Sequence, residues 1–498
     1  MKKVLSLVLA LLMVLALAAC SAPAESTPAD DGGAAAQTPA DDGGDAAEEP
    51  AAEGEPIEIS VRGLPKETDT AGKQIMEARL ATMKEKYPNV TVEVVDFPYD
   101  VNTFLPKAAA GQLPTLYNTF FTEANKIISQ GFALDITDLM NEWGYTDKVN
   151  PAYLELISRD GKIYGLPSSG YALGMWYNVE MFKAAGLVDE NGNPTYPTNS
   201  TELAEMAVKI KEATGYKAYF FPTQNNQGGW MFTQLIWSFG GDMEQYDEAN
   251  DTYTAIFNSQ EAVDALQWLK DMRWKYDVVQ DNILCDVTEA HKLFALDQIA
   301  MAQMAQDQLN GSVTNYNGDI THFGMGTIVP GDNGKGKSIG LLGGTFEVIA
   351  PNATAEQANA CFQWMELEGI TPNLTEETLQ SFADNAMVDQ ENGKLVGVLG
   401  LPAWTDPDYI SQRKAAIEPY VTVDLELYKP YTDACENGTY ELHAEPPVYC
   451  QEMYKILDSC VQAVLTDENA DPQALLDKAA EDFQRDYLDK YNSGAEAQ

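Results

Sequence analysis

The segment GDNGKGKS at residues 331–338 has the spacing of a phosphate-binding loop. In such a loop a helix begins directly after the glycines, and its N-terminus meets the phosphates. The residues that follow, IGLLGG at 339–344, are a poor start for a helix. We therefore interpret residues 331–338 as a flexible surface loop without phosphate chemistry.

Histidine, cysteine and acidic residues do not form a recognisable metal or redox centre. His291, His322 and His443 lack the paired spacing of zinc ligands, and the sequence has no CxxC. The stretch DENGN at 189–193 faintly resembles a calcium loop, but it lacks the glycine at position six and the glutamate at position twelve. We interpret it as a turn, and we expect no metal and no cofactor.

The cysteines leave one question open. Apolar surroundings favour core positions for Cys285 and Cys361. A disulfide within the trio Cys435, Cys450 and Cys460 is one alternative, and three free thiols is the other.

The chain of 498 residues is strongly acidic, with a formal net charge of -45. Such a charge argues against a general basic surface for nucleic acid or anionic lipid. Abundant acids always offer carboxylate pairs, so a surface glycoside hydrolase stays open as an alternative. No Ser/His/Asp signature or local constellation of acids supports it.

A few aromatic and polar residues stand where a binding site could form. Trp230 follows the polar loop 224–229, and Phe120 ends a predicted strand, where loops of α/β proteins bind ligands. Arg62 ends the first predicted strand and could donate in a fork to hydroxyls or a carboxylate. Core packing for the aromatics and a surface charge for Arg62 are the alternatives. Helical patterns predict core positions for Trp237, Trp268, Trp274 and Trp364.

Apolar periodicity supplies the elements that must position these residues. Alternation predicts strands over 57–61 and 90–94, and helical spacing between 76 and 87 predicts a helix that joins them. A strand, a helix and a strand within about 40 residues form a βαβ unit, which implies a parallel sheet. Further patterns predict a helix near 100–110, a strand over 115–119, and helices that begin at 199–201, 258–259 and 471–472.

Five segments, in order, resemble one known family. They are GQLPT at 111–115 with GFALDI at 131–136, GKIYGLP at 161–167, MWYN at 175–178 with MFKAAGL at 181–187, a predicted helix FALDQIAM at 294–301, and a strand led by Gly343-Gly344 before a helix over 355–367. Together they resemble the extracellular solute-binding proteins of bacterial ABC importers, family 1, which includes many sugar binders. Thr115 replaces the family's usual Asp, and Asp297 its usual Gly.

This resemblance implies a two-lobed α/β fold of the periplasmic-binding-protein type. Each lobe is expected to be a mainly parallel sheet flanked by helices, with two or three crossing strands and a ligand cleft between lobes that close on the ligand. About 440 residues after the N-terminal region also favour two lobes. We assign residues 57–166 and 283–342 to the first lobe, and residues 167–282 and 343–498 to the second.

The resemblance also implies binding without catalysis. The expected ligand is a carbohydrate, an oligosaccharide, passed to the transmembrane subunits of an ABC importer by a monomer that binds no nucleic acid. A peptide or polyamine ligand is the alternative. Besides Arg62, Phe120 and Trp230, the family segments add Trp176, Asp307 and Phe346 as expected ligand contacts.

The pattern of the N-terminal residues predicts an export signal. Two lysines precede an apolar run over 4–19, which is too short to span a bilayer and ends in Leu-Ala-Ala-Cys. This ending resembles the bacterial lipobox, which implies removal of residues 1–19 and lipidation of Cys20. Residues 21–56 lack large apolar side chains and are expected to be a disordered acidic spacer. We therefore expect a lipid-anchored protein on the extracellular face of the cell membrane.

Overall fold

The computed structural model describes residues 54–67, 69–398 and 400–494. The expected signal peptide, the lipidated Cys20 and the spacer up to residue 53 lie outside the described residues. Among the described helices, none combines the length and hydrophobicity that crossing a bilayer requires.

The described residues form strands in both lobes. They are β1 (Ile57–Arg62), β2 (Val90–Val95), β3 (Leu116–Phe120), β4 (Ser158–Arg159), β5 (Lys162–Ile163), β6 (Leu166–Ala172), β7 (Gly174–Asn178), β8 (Tyr219–Phe220), β9 (Glu244–Asp247), β10 (Thr252–Ala255), β11 (Met301–Met304), β12 (Phe323–Gly326), β13 (Ile339–Ile349) and β14 (Glu441–Ala444).

Helices connect and cover these strands. They are Thr70–Lys86, Phe104–Ala109, Ala124–Ser129, Thr137–Glu142, Pro151–Leu156, Val179–Ala184, Ser200–Thr214, Gln227–Ser238, Gln260–Trp274, Val287–Ala295, Asn310–Tyr316, Ala355–Leu367, Glu376–Glu391, Pro407–Ile417, Lys429–Glu436, Cys450–Thr466, Pro472–Phe483 and Asp489–Asn492.

The first lobe is built on a sheet with the order β14-β13-β3-β1-β2, and β6 also pairs with β13. Strand β1 lies parallel to both β2 and β3, which confirms the βαβ unit predicted at the start of the folded part. Buried side chains of β1 and β3 pack with Trp364 of the helix Ala355–Leu367 in one core. The apolar alternation of the strands thus builds the lobe-1 core.

The second lobe has its own sheet and its own core. The strand order is β12-β7-β11-β8, in which β8 and β11 are parallel and the other pairs antiparallel. The helices Gln227–Ser238 and Cys450–Thr466 pack into the same core as Trp176 of β7. The start of the helix Cys450–Thr466 lies against the first lobe, because Gln451 Nε2 donates to Thr122 Oγ1.

Two antiparallel strands cross between the lobes. Strand β6 begins with Leu166 in the lobe-1 core and ends with Ala172 in the lobe-2 core. Strand β13 returns, with Leu341 in the lobe-2 core and Leu342 in the lobe-1 core. Because one strand leads out and the other leads back, they pair antiparallel. The two-lobed α/β fold is therefore confirmed. Among the described residues the first sheet has three parallel and two antiparallel pairs of strands, whereas the second sheet is mainly antiparallel.

The division of the chain between the lobes differs from the predicted one. Residues 283–342 were expected in the first lobe, yet the buried side chains from Ile283 to Leu341 pack in the lobe-2 core. After the crossing at β13, Phe346 and Trp364 belong to the lobe-1 core instead of the second lobe. The chain changes lobe where β13 crosses, and no crossing occurs at residue 283. Buried residues from Tyr428 to Leu488 return to the lobe-2 core.

Most local predictions are confirmed. The helix Ser200–Thr214 begins after Asn199, whose side chain accepts from Glu202 N, and ends at Gly215 with a left-handed φ of 78°. Residues 331–338 form a loop that leads into strand β13 instead of a helix. The Asp189 carboxylate accepts from the backbone of Asn191 and Asn193, as expected of a turn.

The predicted helix over 294–301 is wrong. The helix Val287–Ala295 ends earlier, and β11 begins at Met301. Between them Asp297 adopts a φ of 52°, a left-handed conformation in which the family's usual glycine has no steric penalty. The Asp297 carboxylate accepts from Asn178 Nδ2 at 2.7 Å. This hydrogen bond stabilises Asp297 in the left-handed conformation that glycine adopts without a steric penalty.

The tryptophan and cysteine predictions have mixed outcomes. Trp237 and Trp364 are buried, and Trp268 is half-buried. Trp274 is not a core residue, because it is 37 % exposed and its indole N–H donates to Val464 O at the surface. The five cysteines of the described region are free thiols, so the alternative of a disulfide is wrong.

Candidate functional site

Tyr171 lies on the crossing strand β6, where the two lobes meet. Its ring rests on Gly343 of β13, where a Cβ would stand 2.5 Å from the ring. The ring also meets Trp230 edge-to-face, with 6.2 Å between centroids. No described residue hydrogen-bonds to the Tyr171 hydroxyl, which stays accessible. Tyr171 therefore offers a free hydroxyl beside a second aromatic ring.

Trp230 is held in place by the start of its helix, Gln227–Ser238. The Asp458 carboxylate accepts from Asn226 N at 2.9 Å and from Gly229 N at 2.7 Å. A Cβ at Gly229 would lie 2.1 Å from Tyr454 O, so only glycine allows this approach. Burial raises the pKa of Asp458 to about 6, although these N–H donors oppose the shift. The half-buried Trp230 ring is thus fixed by backbone packing.

Asp307 follows the end of strand β11 and is exposed to solvent. The indole N–H of Trp176 donates to Ala305 O at 2.9 Å and so fixes the segment that leads to Asp307. Surrounding protein raises the pKa of Asp307 even though water reaches it, as expected on the wall of a cleft. Burial first, and then the charges of Glu445 and Asp307, raise the pKa of Tyr171. A Cβ at Gly400 would stand 2.3 Å from Gly170 O and 2.6 Å from Gln306 Nε2, so the segment that leads to Asp307 lies against the strand that holds Tyr171.

The first lobe contributes an aromatic pair beside a buried acid. Phe120 ends β3, is 41 % exposed, and meets Tyr99 edge-to-face at 5.6 Å. The Tyr99 hydroxyl donates to Glu123 at 2.5 Å, and Lys126 Nζ lies 3.0 Å from the same carboxylate. Glu123 itself is buried. Phe120 is therefore the exposed apolar surface of this wall.

Three polar contacts join the lobes next to these residues. Lys126 forms an ion pair of 3.3 Å with Glu452. Gln451 Nε2 donates to Thr122 Oγ1 at 3.2 Å, and Asn125 Nδ2 donates to Pro447 O at 3.2 Å. The start of the helix Cys450–Thr466 thus lies against the first lobe.

A cavity of about 710 Å³ also lies between the lobes. Phe121 and Thr122 line it from the first lobe, and Glu244 and Glu445 from the second. Glu445 accepts from the Tyr454 hydroxyl at 2.7 Å, and burial raises its pKa to about 7. Burial and then Asp242 raise the pKa of Glu244 to about 8, and its carboxyl oxygens have no hydrogen-bond partner in the described part of the chain.

We call the region where the lobes meet the interlobe cleft, and its residues here are Tyr99 and Phe120 of the first lobe, Tyr171 of β6, and Trp230, Asp307 and Glu445 of the second lobe. It combines aromatic rings, free hydroxyl and carboxyl groups, and the crossing strands. A different cavity of about 480 Å³, lined by Tyr177, Pro194 and Lys429 among others, includes no residue of β6 or β13. The interlobe cleft is therefore the candidate site.

The six residues expected to bind ligand divide into those that lie at the cleft and those that lie inside the lobes. The structure brings Trp230 and Asp307 together around Tyr171 and leaves Phe120 exposed on the facing lobe. Trp176 and Phe346 are both 0 % exposed and pack in the lobe cores, so they are not available to a ligand. Position near a family segment does not distinguish a cleft residue from the core residue beneath it.

Arg62 is also unavailable to a ligand, because its guanidinium is paired with acidic side chains inside the first lobe. Its guanidinium donates to both oxygens of Glu347, from Nη2 at 2.5 Å and from Nε at 3.1 Å. The same side chain pairs with Glu368, which also pairs with Arg79. The carboxylates of Glu347 and Glu368 are nearly inaccessible, with side chains 1 % and 7 % exposed. Arg62 therefore balances buried charge inside the first lobe.

Tyr99, Tyr171 and Glu445 are not among the ligand contacts that the sequence predicts. A clue to Tyr171 is present, because SSGY at 168–171 stands between two of the segments that resemble the family. Glu445 and the interlobe pair of Lys126 and Glu452 carry no such clue. Residues more than 300 positions apart in the sequence become neighbours only through the fold.

Comparison with known proteins agrees with this architecture. The model that defines the bacterial extracellular solute-binding proteins matches residues 63–370. A putative binding protein of Brucella abortus is 32% identical over 122 residues, which cover 24% of this chain and 28% of that protein. The match thus spans less than a third of this curated relative.

Solved structures show the fold over nearly the whole described region. The cyclic alpha-maltosyl-1,6-maltose binding protein of Arthrobacter globiformis superposes with a TM-score of 0.60 at 20% identity, covering 86% of this chain and 97% of that one. An ABC transporter solute-binding protein of Thermotoga lettingae bound with alpha-D-tagatose gives 0.63 at 20% identity, with coverage of 87% and 99%. At these identities the likeness shows the fold alone.

Proposed function

The chain belongs to the bacterial extracellular solute-binding proteins, and from this premise we propose that it captures an oligosaccharide in the interlobe cleft for an ABC importer. The neighbours in the structural comparison that bind sugars support a carbohydrate ligand. The transmembrane subunits of the importer are the proposed partners. The chain is a binding protein and not an enzyme, so it delivers the ligand unchanged.

One observation carries this proposal: Tyr171 and Trp230 form an aromatic corner at the crossing strands, and the segment that leads to Asp307 packs near the same strand through Gly400. Sugars present apolar ring faces together with many hydroxyls. An aromatic corner stacks on such a face, while a carboxylate and a phenol hydroxyl fix the hydroxyls by hydrogen bonds. Phe120 on the opposite lobe supplies a second apolar surface.

Lobe closure is the proposed means of capture. Strands β6 and β13 join the lobes, and small changes in their backbone angles would rotate one lobe on the other. Ligand contacts to both lobes favour the conformation in which the lobes touch. The three polar contacts between the lobes, from Lys126, Gln451 and Asn125, add to that conformation.

The proposed location follows from the N-terminal sequence. Removal of residues 1–19 and lipidation of Cys20 would hold a monomer at the extracellular face of the membrane. A spacer that reaches residue 56 spans roughly 30 Å or more as a flexible chain, which lets the lobes reach the importer. Metabolic labelling with a palmitate analogue should label the wild-type chain and not the variant Cys20→Ser.

A thermal-shift screen followed by calorimetry tests the carbohydrate assignment. The screen covers oligosaccharides, monosaccharides, polyamines and short peptides at equal concentration. We expect saturable stabilisation by an oligosaccharide, without release of new reducing ends. Stabilisation by a peptide or a polyamine alone would show that the ligand is not a sugar, and reducing ends released from bound glycan would point to the hydrolase alternative.

A further inference from the structure

We call the cavity of about 710 Å³ that Thr122 and Glu244 line from the two lobes the side cavity. Of the six residues assigned to the interlobe cleft, only Glu445 lines it. Leu342 of β13 lines it as well, and side chains of a strand alternate between its two faces. Leu342 therefore points away from the face of β13 on which the Tyr171 ring rests. The side cavity is thus separate from the place that Tyr171 offers to a glycan.

Polar groups in the wall of the side cavity lack hydrogen-bond partners. Glu244 lines the cavity, and in the described part of the chain neither of its carboxyl oxygens has a partner. His443 also lines it, and the Nδ1 atom of this imidazole has no partner among the described residues. Buried polar groups without partners are rare, because each keeps the cost of its lost hydration. A bound molecule that hydrogen-bonds to Glu244 and His443 would remove that cost.

Tyrosine rings supply an apolar surface in the same wall. The Tyr253 ring lies 4.7 Å from that of Tyr246 and 5.7 Å from that of Tyr491, measured between centroids, and all three residues line the side cavity. The Trp237 ring meets the His443 ring edge-to-face, with 4.3 Å between centroids, which holds the imidazole in place. Flat rings beside unpartnered polar groups suit a sugar, which has both an apolar face and hydroxyls.

The charges of the side cavity do not favour one sign of ligand. The acids Glu244 and Glu445 line it together with the guanidinium of Arg159, whose Nη1 donates to Asn125 Oδ1 at 3.1 Å. A hydroxyl group can both donate and accept, so it fits a carboxyl group or an imidazole in either protonation state. A neutral ligand with several hydroxyls therefore matches this wall better than an amine or a carboxylate does.

We propose that the side cavity is a second ligand site, which takes a neutral monosaccharide or disaccharide. The sugar ring lies on the tyrosine group around Tyr253, and its hydroxyls bond to the Glu244 carboxyl group and to His443 Nδ1. The volume of about 710 Å³ falls in the range of small-molecule sites. This site goes beyond the proposed function, because it is separate from the glycan site at Tyr171.

Occupancy of the side cavity also affects how the lobes are held. Thr122 and Asn125 line it from the first lobe, and Pro447 lines it from the second. Thr122 accepts from Gln451, and Asn125 donates to Pro447, so two of the interlobe hydrogen bonds lie at its wall. A sugar that contacts both walls favours the conformation in which the lobes touch. Resting on the proposed function, in which the glycan favours the same conformation, the two ligands strengthen each other's binding.

Calorimetry with small probes tests the second site. Glucose, galactose, maltose and sucrose are the neutral probes, putrescine is the cation and glucuronate is the anion. We expect saturable binding of at least one neutral sugar, and this binding should persist in Trp230→Ala, which weakens the glycan site. Glu244→Leu should weaken it by about fivefold or more, because the hydrogen bonds to the carboxyl group are lost. Glu248→Leu, which removes an exposed acid between β9 and β10, is the matched control and should leave it unchanged.

A second variant narrows the side cavity from the first lobe. Ala152 lines it and is exposed, so Ala152→Phe reduces its volume without a change in Glu244. This variant should also weaken binding of the neutral sugar. Urea titration should show that both variants fold, since Glu244→Leu removes a carboxyl group without partners and Ala152 is not a core residue. In the wild type, a saturating concentration of the neutral sugar should raise the affinity for the cleft glycan by about fivefold or more.

The outcomes separate this site from the proposed function. If Trp230→Ala abolishes binding of the neutral sugars and Glu244→Leu does not change it, the second site is overturned and glycan capture in the cleft stands. Binding of putrescine or glucuronate alone, lost in Glu244→Leu, would overturn the neutral-sugar assignment. Unchanged glycan affinity in the presence of the sugar would overturn the coupling. Failure of every glycan to bind the cleft, with sugar binding that still depends on Glu244, would overturn the proposed function alone.

Discussion

Lys126 of the first lobe and Glu452 of the second form an ion pair of 3.3 Å across the interlobe boundary. Lys126 also holds Glu123, which accepts from Tyr99 beside the exposed Phe120. One cation thus links the lobe-1 wall of the cleft to the start of a lobe-2 helix. The pair exists only while the lobes are in contact.

Loss of this pair should therefore weaken ligand capture. Glu452→Gln removes the attraction, and a partly exposed pair contributes about 0.2–1 kcal/mol, which corresponds to a loss of affinity of up to about fivefold. Calorimetry with the glycan that gives the largest thermal shift measures this loss of affinity. Asp482→Asn, which breaks an ion pair with Lys478 inside one lobe, is the control. Equal affinities for the two variants would contradict a role for the interlobe pair.

Trp230 should affect binding and not folding. Trp230→Ala removes one side of the aromatic corner and should reduce affinity by about tenfold, equivalent to about 1.4 kcal/mol. Because the ring is half-buried at the cleft, the urea midpoint should change little. Trp230→Phe should restore part of the affinity. A large loss of stability with unchanged affinity would assign Trp230 to packing instead.

Gly229 should be required for the position of Trp230. The β-carbon of Gly229→Ala would stand 2.1 Å from Tyr454 O, and this backbone atom cannot move aside alone. We expect a destabilisation of about 1–3 kcal/mol, together with weaker glycan binding. Gly192→Ala is a useful contrast, because the glycine lies in the exposed turn after Asp189, where a Cβ would meet no atom within 4 Å. Its positive φ makes it a control for backbone strain without a steric clash.

Arg62 should support stability rather than ligand binding. Arg62→Met leaves the buried carboxylates of Glu347 and Glu368 without their shared cation, which should cost about 3–5 kcal/mol in the free energy of unfolding. Urea titration checks this value, with Arg159→Met on the exposed surface as control. If Arg62→Met reduced glycan affinity without a change in stability, Arg62 would be a ligand contact, contrary to this prediction.

Stability should depend on pH through Glu244. Its folded-state pKa is about 8, above the ordinary value of 4.5, so the folded protein keeps a proton that the unfolded chain releases. Stability should accordingly fall as pH rises from 4.5 through about 8. Glu445 and Asp458, whose pKa values are also raised by burial, contribute to the same slope, so Glu244→Gln should reduce it in part and be more stable than the wild type at the alkaline end. Urea titrations across that range measure the slope, and the exposed Glu248→Gln should leave it unaltered; an unchanged slope in Glu244→Gln would contradict the argument.

Local signals in the sequence predicted the elements well. The strand alternation at β1 and β2 and the helix ends at Asn199 and Gly215 each depend on neighbours within a few residues. The lobe boundary was harder, because β13 changes core between Leu341 and Leu342 without any change in its apolar pattern. Because this strand is buried in both lobes, its sequence does not show where it crosses from one lobe to the other.

The candidate site was predictable only where a local sequence feature coincided with an accessible position at the interlobe cleft. Trp230 follows a polar loop and Phe120 ends a strand, and both remain accessible. Trp176 stands in the segment closest to the family, yet its ring is buried and its indole N–H supports the Asp307 segment. Glu445 reaches the cleft through pairing of β14 with β13, which no local pattern indicates.

The most direct test of carbohydrate capture is a crystal structure of the protein with the glycan that gives the largest thermal shift. The account predicts a sugar ring packed on Trp230, within hydrogen-bond distance of the Tyr171 hydroxyl and the Asp307 carboxylate. Contacts from the first lobe should include Phe120. A glycan bound at a surface remote from β6 and β13, with the interlobe cleft left open, would contradict the account.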